Sequence, residues 1–194
     1  MSSLRNGGAE RSLVNLLQLL DYDRYNVDLL LFQNEGMFLK QVPKAVNIIS
    51  NCNKLYTLYD NNKAEALKHP YLSAVHMIGT FISRKKTNSI AKSRQYRWEH
   101  FYKKIVPELT KEYDVAIAYM QREQTYFLVD KVKAAKKITW VHNEYSQLGH
   151  FKEMDLEYFE KVDKVVTISD LCAKDLKKNF PSIAEKFVVL PNLT

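Results

Sequence analysis

The sequence has few of the residues that define several common protein classes. Its 194 residues include only two cysteines, Cys52 and Cys172, which form no CxxC pair. We therefore expect neither a disulfide framework nor a zinc site, and we predict that both thiols stay reduced in a cytoplasm. Five glycines and five prolines predict short loops and no linker between domains.

Long apolar runs are also missing. No run approaches the roughly 18 residues that cross a bilayer, and the polar N-terminus lacks the apolar segment of a signal peptide. The expected location is the cytoplasm, with a peripheral position at the inner face of the cell membrane left open. Hydrophobic residues make up 46% of the chain, which is enough for the core of a single domain spanning residues 1–194.

The charge is one-sided, with 29 Lys and Arg against 22 Asp and Glu, a formal net charge of +7. An excess of this sign indicates an anionic partner such as lipid headgroups, a pyrophosphate or nucleic acid. A generally basic surface explains the same number equally well.

Apolar segments with two different periods alternate along the chain. The i, i+3, i+4, i+7 spacing of Leu13, Leu16, Leu17 and Leu20 predicts a first amphipathic helix. Strands are predicted at 27–32, 46–49, 114–119, 137–141, 164–168 and 186–190, and helices at 10–20, within 64–107, and at 125–135, 155–162 and 169–179. This alternation predicts an α/β fold, with a Rossmann-like parallel sheet covered by helices on both faces.

A glycine pair at the start of the first helix is the first candidate binding element. Gly7 and Gly8 would let a ligand approach the backbone closely, and the free N–H groups of a helix start favour an anion. Glu10 follows in the first turn, where its carboxylate also suits the positive end of the helix dipole. On local evidence a simple strand-to-helix turn explains the pair too, and the sequence contains neither a GxGxxG fingerprint nor a P-loop.

Polar residues follow three of the predicted strands. His142 comes directly after one strand, and the carboxyl ends of parallel strands line the ligand crevice of open α/β sheets. A neutral imidazole there can bind a hydroxyl or accept a proton, and Asn143 can bind sugar hydroxyls. Arg122 ends the preceding unit and can meet a phosphate, while Ser169 in the next unit is interpreted as a helix cap. A histidine fixed by a loop and a solvated arginine are the competing interpretations.

Cations and aromatic residues alternate between positions 84 and 104. We interpret this stretch as an interfacial segment that contacts an anionic membrane. The residues assigned to that contact are Arg84, Lys85, Lys86, Arg94, Arg97 and Trp98. Nucleic acid would use similar residues, but no DNA- or RNA-binding motif is present, so a membrane is preferred and no nucleic-acid partner is expected. A plain solvated helix face stays an equal alternative.

The histidines do not form a metal site. They occur at positions 69, 76, 100, 142 and 150 without metal-ligand spacing. No metal and no cofactor are therefore expected.

Five stretches occur in an order that is similar to a known family. They are Ser3–Arg11, Tyr119–Thr125, Trp140–Asn143, Val165–Ser169 and Phe180–Asn192. Together they make the chain resemble, essentially from end to end, the N-terminal, acceptor-side domain of GT-B glycosyltransferases of family 4. Each motif alone is modest, and their order and spacing carry the resemblance.

The resemblance implies half of a GT-B architecture, in which two Rossmann-like domains face each other across a cleft. It implies retaining transfer of a sugar from a nucleotide-sugar co-substrate to a glycan or lipid-linked acceptor, in surface polysaccharide or glycolipid synthesis. Gly7 and Gly8 would lie near the donor pyrophosphate and the acceptor, and His142 at the transferred sugar, as the catalytic residue. Glu10, Arg122 and Asn143 are the further expected substrate contacts.

The chain departs from the family at both ends. The donor-binding C-terminal domain would begin where the chain stops, at Thr194, and the first strand of the sheet would precede Met1. We therefore expect this polypeptide to be inactive alone, as a fragment or as one half of a split enzyme with a separate donor-domain chain. The alternative is a non-catalytic subunit that binds an acceptor or a membrane.

Overall fold

The computed structural model describes residues 1–49, 57–59 and 67–193. Its six strands are β1 (Asp28–Leu30), β2 (Asn47–Ile49), β3 (Glu112–Ala118), β4 (Lys133–Val141), β5 (Lys164–Thr167) and β6 (Phe187–Val189). Its main helices are α1 (Gly8–Leu19), α2 (Pro70–Lys86), α3 (Ile90–Arg97), α4 (Glu123–Lys131), α5 (Lys152–Glu160) and α6 (Asp170–Asn179). A π-helical turn, Trp98–Tyr102, and a helical turn, Lys103–Ile105, continue α3. Cys52 lies outside the described residues.

All strand pairing in the described residues is parallel. The strands β3, β4, β5 and β6 form one sheet in that order, and β1 and β2 form a second, two-stranded sheet. Side chains link the two sheets, since Tyr113 Oη on β3 donates to the Asp28 carboxylate on β1 over 2.9 Å. The predicted α/β class with a parallel sheet flanked by helices is confirmed.

The first residues of the chain lie along β1. The amide of Phe32 donates to the carbonyl of Met1 over 3.1 Å, and the amide of Gln33 donates to that of Ser2 over 2.7 Å. The amide of Leu4 donates to the carbonyl of Glu35 over 2.9 Å. These bonds fix the loop that leads into α1.

The four-stranded sheet has apolar cover on both faces because successive strand residues point to opposite sides. Val165 of β5 packs in the larger core with α4, α5 and α6, and its neighbour Val166 packs in the smaller core with α1. On β4, Val141 and Trp140 divide between the two cores in the same way. The sheet therefore holds its carboxyl edge between α1 on one side and α4 to α6 on the other.

The start of β4 corrects one sequence prediction. Residues Lys133–Ala135 were expected at the end of a helix, but Glu112 pairs with Lys133 and Tyr113 with Ala134 in the ladder between β3 and β4. α4 already ends at Lys131. Strand pairing overrides the high intrinsic helix propensity of alanine and lysine here.

Candidate binding site at the carboxyl edge of the sheet

His142 lies at the carboxyl end of β4, as predicted, and is 8% exposed. Its Nε2 is 3.0 Å from the backbone carbonyl of Tyr119, which follows β3. Because a carbonyl only accepts, Nε2 carries the proton and Nδ1 is left with a lone pair. Burial lowers the pKa of His142, with partial opposition from the Tyr119 carbonyl, the charge of Glu10 and the Asn192 side chain. The ring is therefore neutral at pH 7.

Two hydrogen-bond acceptors are left unsatisfied beside each other. The Asn192 side chain lies close enough to the His142 ring to raise the pKa of the imidazole, but the two groups do not meet with the geometry of a hydrogen bond. Within the described part of the chain, neither Nδ1 of His142 nor Oδ1 of Asn192 has a hydrogen-bond partner, although both atoms are buried. Buried acceptors without partners are costly, and they favour any ligand that brings donors.

Ser12 joins α1 to this site. Its buried hydroxyl lies 2.9 Å from the Tyr119 hydroxyl and accepts from the amide of Leu193 over 3.1 Å. Tyr119 in turn stacks on Trp140, with ring centroids 4.9 Å apart. The start of α1, the ends of β3 and β4, and the residues after β6 therefore meet at one place.

The glycine pair has two different surroundings. The Glu10 side chain folds back over Gly7, so closely that a Cβ on Gly7 would collide with its carboxylate. Gly8 faces open space, with no atom within 4 Å of the position a Cβ would take. No side chain among the described residues caps α1. A ligand can thus approach Gly8 freely, whereas an anion at Gly7 must displace the Glu10 carboxylate.

Arg122 lies after β3 but faces a different neighbour. Its Nε donates to Nε2 of His150 over 2.9 Å, and Nδ1 of His150 lies 2.7 Å from the Asp155 carboxylate. Its backbone has a φ of 73°, the only positive value of a non-glycine residue in the described ranges. A strained backbone of this kind persists only where surrounding contacts fix it. For Arg122 that contact is the hydrogen bond to His150, which is itself positioned by Asp155.

The other predicted positions divide into two groups. Asn143 is exposed after β4. Ser169 caps α6 as predicted, since its hydroxyl accepts from the amide of Cys172 over 3.2 Å. Ser12 and Asn192 are site residues that were not predicted from the sequence. Only Ser12 has a local signal, because it is a polar residue on the buried face of α1.

The prediction that residues 84–98 contact a membrane is wrong for three of the six assigned residues. Trp98 is fully buried and donates from Nε1 to Asp130 over 3.0 Å. Arg94 forms an ion pair with the buried Glu123, and Arg97 donates to Thr80 on α2 over 3.2 Å. These three side chains share the inward face of α3 and the turn after it, so they do not form an exposed surface. Arg84, Lys85 and Lys86 are exposed at the end of α2.

No protein-family model, curated protein or solved structure matches this chain. In the described part of the chain no group of three or more His, Cys, Asp or Glu side chains is placed to hold a metal ion. In the same residues no helix is both long and apolar enough to cross a bilayer.

Proposed function

We propose that this chain is the acceptor-side half of a retaining glycosyltransferase of the GT-B kind, with the edge around His142 as its sugar site. The observation that carries the proposal is the pair of unsatisfied buried acceptors, Nδ1 of His142 and Oδ1 of Asn192. Sugars present several hydroxyl donors on adjacent carbons, and a polar pocket with unmet acceptors selects such a ligand over an apolar one.

The neutral state of His142 defines its role. With Nε2–H held by the Tyr119 carbonyl, Nδ1 accepts a hydrogen bond from a sugar hydroxyl and fixes the orientation of the ring that is transferred. A neutral imidazole adds no positive charge beside a leaving diphosphate. In this proposal the amides at the open start of α1, at Gly8, supply the electrostatic stabilisation.

The Glu10 carboxylate restricts where a negatively charged ligand group can bind at the same site. Its carboxylate covers Gly7 and acts on the charge state of His142. A diphosphate at this helix start must therefore move the Glu10 side chain, whereas a sugar hydroxyl can donate to it directly. We expect acceptor hydroxyls to contact Glu10 and the donor diphosphate to approach Gly8. The donor nucleotide itself would be held by a separate C-terminal domain.

Saturation-transfer NMR with a panel of methyl glycosides and disaccharides tests the binding step on this chain. We expect at least one sugar to receive saturation, and the signal to disappear in His142→Phe. The exposed His100 offers a matched control, and His100→Phe is expected to bind as the parent does. If no sugar in the panel binds, or if His142→Phe binds unchanged, the site is not a sugar site.

The coding DNA on both sides of this frame tests the transfer step. A donor-binding domain encoded downstream, in frame or one frameshift away, supports the enzyme. Sugar binding without any such domain supports the non-catalytic acceptor-binding subunit instead.

A further inference from the structure

The outward face of α2 is apolar. Tyr71, Met77, Ile78 and Phe81 are 67%, 70%, 53% and 61% exposed. Positions 71, 74, 78 and 81 follow the i, i+3, i+7, i+10 spacing of one helix face, and Ala74 is exposed as well, so these side chains form a continuous stripe. Single exposed apolar residues are ordinary, but a contiguous patch on a helix marks a surface that contacts something.

The opposite face of the same helix is already buried in the fold. Leu72, Gly79 and Ser83 pack inward, and a Cβ on Gly79 would lie 3.3 Å from the ring of Phe101. The outward stripe is therefore distinct from the face of α2 that packs in the core. It is a second apolar face on a helix that has already buried its first.

The charge next to the stripe has one sign. α2 ends in the exposed side chains Arg84, Lys85 and Lys86, and no acidic residue occurs between Pro70 and Trp98. Nζ of Lys85 lies 4.4 Å from the centre of the Phe81 ring. The apolar stripe and the cationic end of the helix are thus in direct contact.

A recess follows directly after the stripe. It has a volume of about 460 Å³ and is lined by Lys85, Lys86, Thr87, Asn88, Lys92 and Phe151. Among the described residues, three ammonium groups and no carboxylate line it. Nζ of Lys92 lies 5.0 Å from the centre of the Phe151 ring. Ile90, 81% exposed, stands beside it at the first turn of α3. This chemistry suits a phosphate group attached to an apolar body.

We propose that the outward face of α2 docks onto an anionic phospholipid bilayer. The stripe of Tyr71, Ile78 and Phe81 enters the boundary between headgroups and acyl chains, and the recess at Lys85 and Lys92 takes headgroup phosphates. Burial of apolar area and attraction to anionic lipid add to each other in such interfacial helices. This contact does not depend on the proposed glycosyl transfer.

A second copy of the chain fits this face less well. A symmetric dimer places the same patch on both sides of the interface. The patch offers three cations at the end of α2, and α2 itself carries no carboxylate to pair with them. Anionic lipid neutralises those cations, whereas a second copy adds more of them.

Co-sedimentation with vesicles tests the proposal on the chain as it stands. The vesicles are phosphatidylcholine alone and phosphatidylcholine mixed with phosphatidylglycerol. We expect sedimentation with the mixed vesicles only, and a loss of partitioning of roughly tenfold or more in the double variant Ile78→Ser/Phe81→Ser. The variant Lys85→Gln/Lys86→Gln is expected to bind more weakly and with less dependence on salt than the parent.

Matched controls come from α6. Leu171 is 62% exposed there, and Lys177 and Lys178 lie exposed in its last turn. Leu171→Ser and Lys177→Gln/Lys178→Gln are expected to partition as the parent does. The proposal is overturned if the parent fails to sediment with anionic vesicles, or if the α2 variants bind no more weakly than the α6 controls. It is equally overturned if the parent is a dimer that Ile78→Ser/Phe81→Ser converts to a monomer.

A fluorescent reporter gives a second measurement. Both native tryptophans, Trp98 and Trp140, are buried at 0% and 6% exposure, so their emission is expected to change little when vesicles are added. Phe81→Trp places a third indole on the stripe. Its emission is expected to shift to shorter wavelength with anionic vesicles, and an unchanged spectrum contradicts insertion of the stripe.

Discussion

The imidazole of His142 is tied to the chain through the backbone carbonyl of Tyr119, with Nε2 and the oxygen 3.0 Å apart. This single contact joins the ends of β3 and β4 and fixes which ring nitrogen carries the proton. It leaves Nδ1 free to accept, and the proposed sugar site depends on that free acceptor.

The buried state of His142 predicts how stability depends on pH. Burial lowers the pKa of His142 in the folded state, so the unfolded chain takes up this proton first as the pH falls through about 6.5. Stability from this group is therefore complete above pH 6.5 and is lost below it. We expect the melting temperature to fall between pH 7.5 and pH 5.5, and to fall less in His142→Gln, as measured by circular dichroism.

The exposed His100 gives the comparison for that experiment. His100→Gln is expected to keep the pH dependence of the parent. Burial also lowers the pKa of His76, so part of the dependence stays in both variants. An equal pH dependence in His142→Gln and the parent would show that His142 is not held in its neutral form.

Asp155 holds a buried polar network together. It is 2% exposed and accepts from the hydroxyls of Tyr126 and Tyr145 and from the side chain of Gln95, with His150 also in contact. Asp155→Ala leaves the two tyrosine hydroxyls without this acceptor inside the core, which costs about 3–5 kcal/mol of the free energy of unfolding. Urea denaturation measures this loss.

The same helix offers a matched control for Asp155. Glu153 is an exposed acid in the first turn of α5, and Glu153→Ala is expected to change stability by less than about 0.5 kcal/mol. Asp155→Asn keeps the volume and one acceptor, so its loss is expected to lie between the two. Similar losses for Asp155→Ala and Glu153→Ala would mean that the network does not stabilise the fold.

The sheet and the end of β4 could be predicted from the sequence because they depend on local patterns. The apolar segment before Ser169 and the cap itself follow from strand and capping rules, and both were confirmed. His142 was placed at the strand end on the same grounds. The position of Asn192 beside His142 could not be predicted, because only the folded sheet brings the residues after β6 next to the end of β4.

The surface was predicted less well than the core. The residue types between 84 and 104 indicate cations and aromatic rings but not which helix face each occupies. Trp98 and Arg94 turn inward because Asp130 and Glu123, both far away in sequence, supply partners for them. The exposed stripe on α2 was not predicted, because both faces of this helix carry apolar residues. The usual contrast between a polar and an apolar helix face is therefore weak.

Gly36 is a position that only glycine fills. Its φ is +127°, and a Cβ there would overlap the backbone of Leu4 and Arg5. Gly36→Ala is therefore expected to lower the free energy of unfolding by more than about 2 kcal/mol, since it combines a strained backbone with a clash. Gly8→Ala, which meets open space in α1, is the control and is expected to be neutral or slightly stabilising. Equal stabilities of the two variants in urea would contradict the close approach of the two loops.

Trp98 provides the last test, because it separates a structural role from the membrane role that its residue type suggests. Its indole is fully buried and donates to Asp130, which also accepts from Tyr158 over 2.7 Å. Trp98→Phe keeps most of the apolar volume but removes the donor and opens a small cavity. We expect a loss of about 1–3 kcal/mol in the free energy of unfolding and unchanged partitioning onto anionic vesicles at a temperature where the variant stays folded. Full stability together with weaker vesicle binding would instead place this indole at the lipid surface.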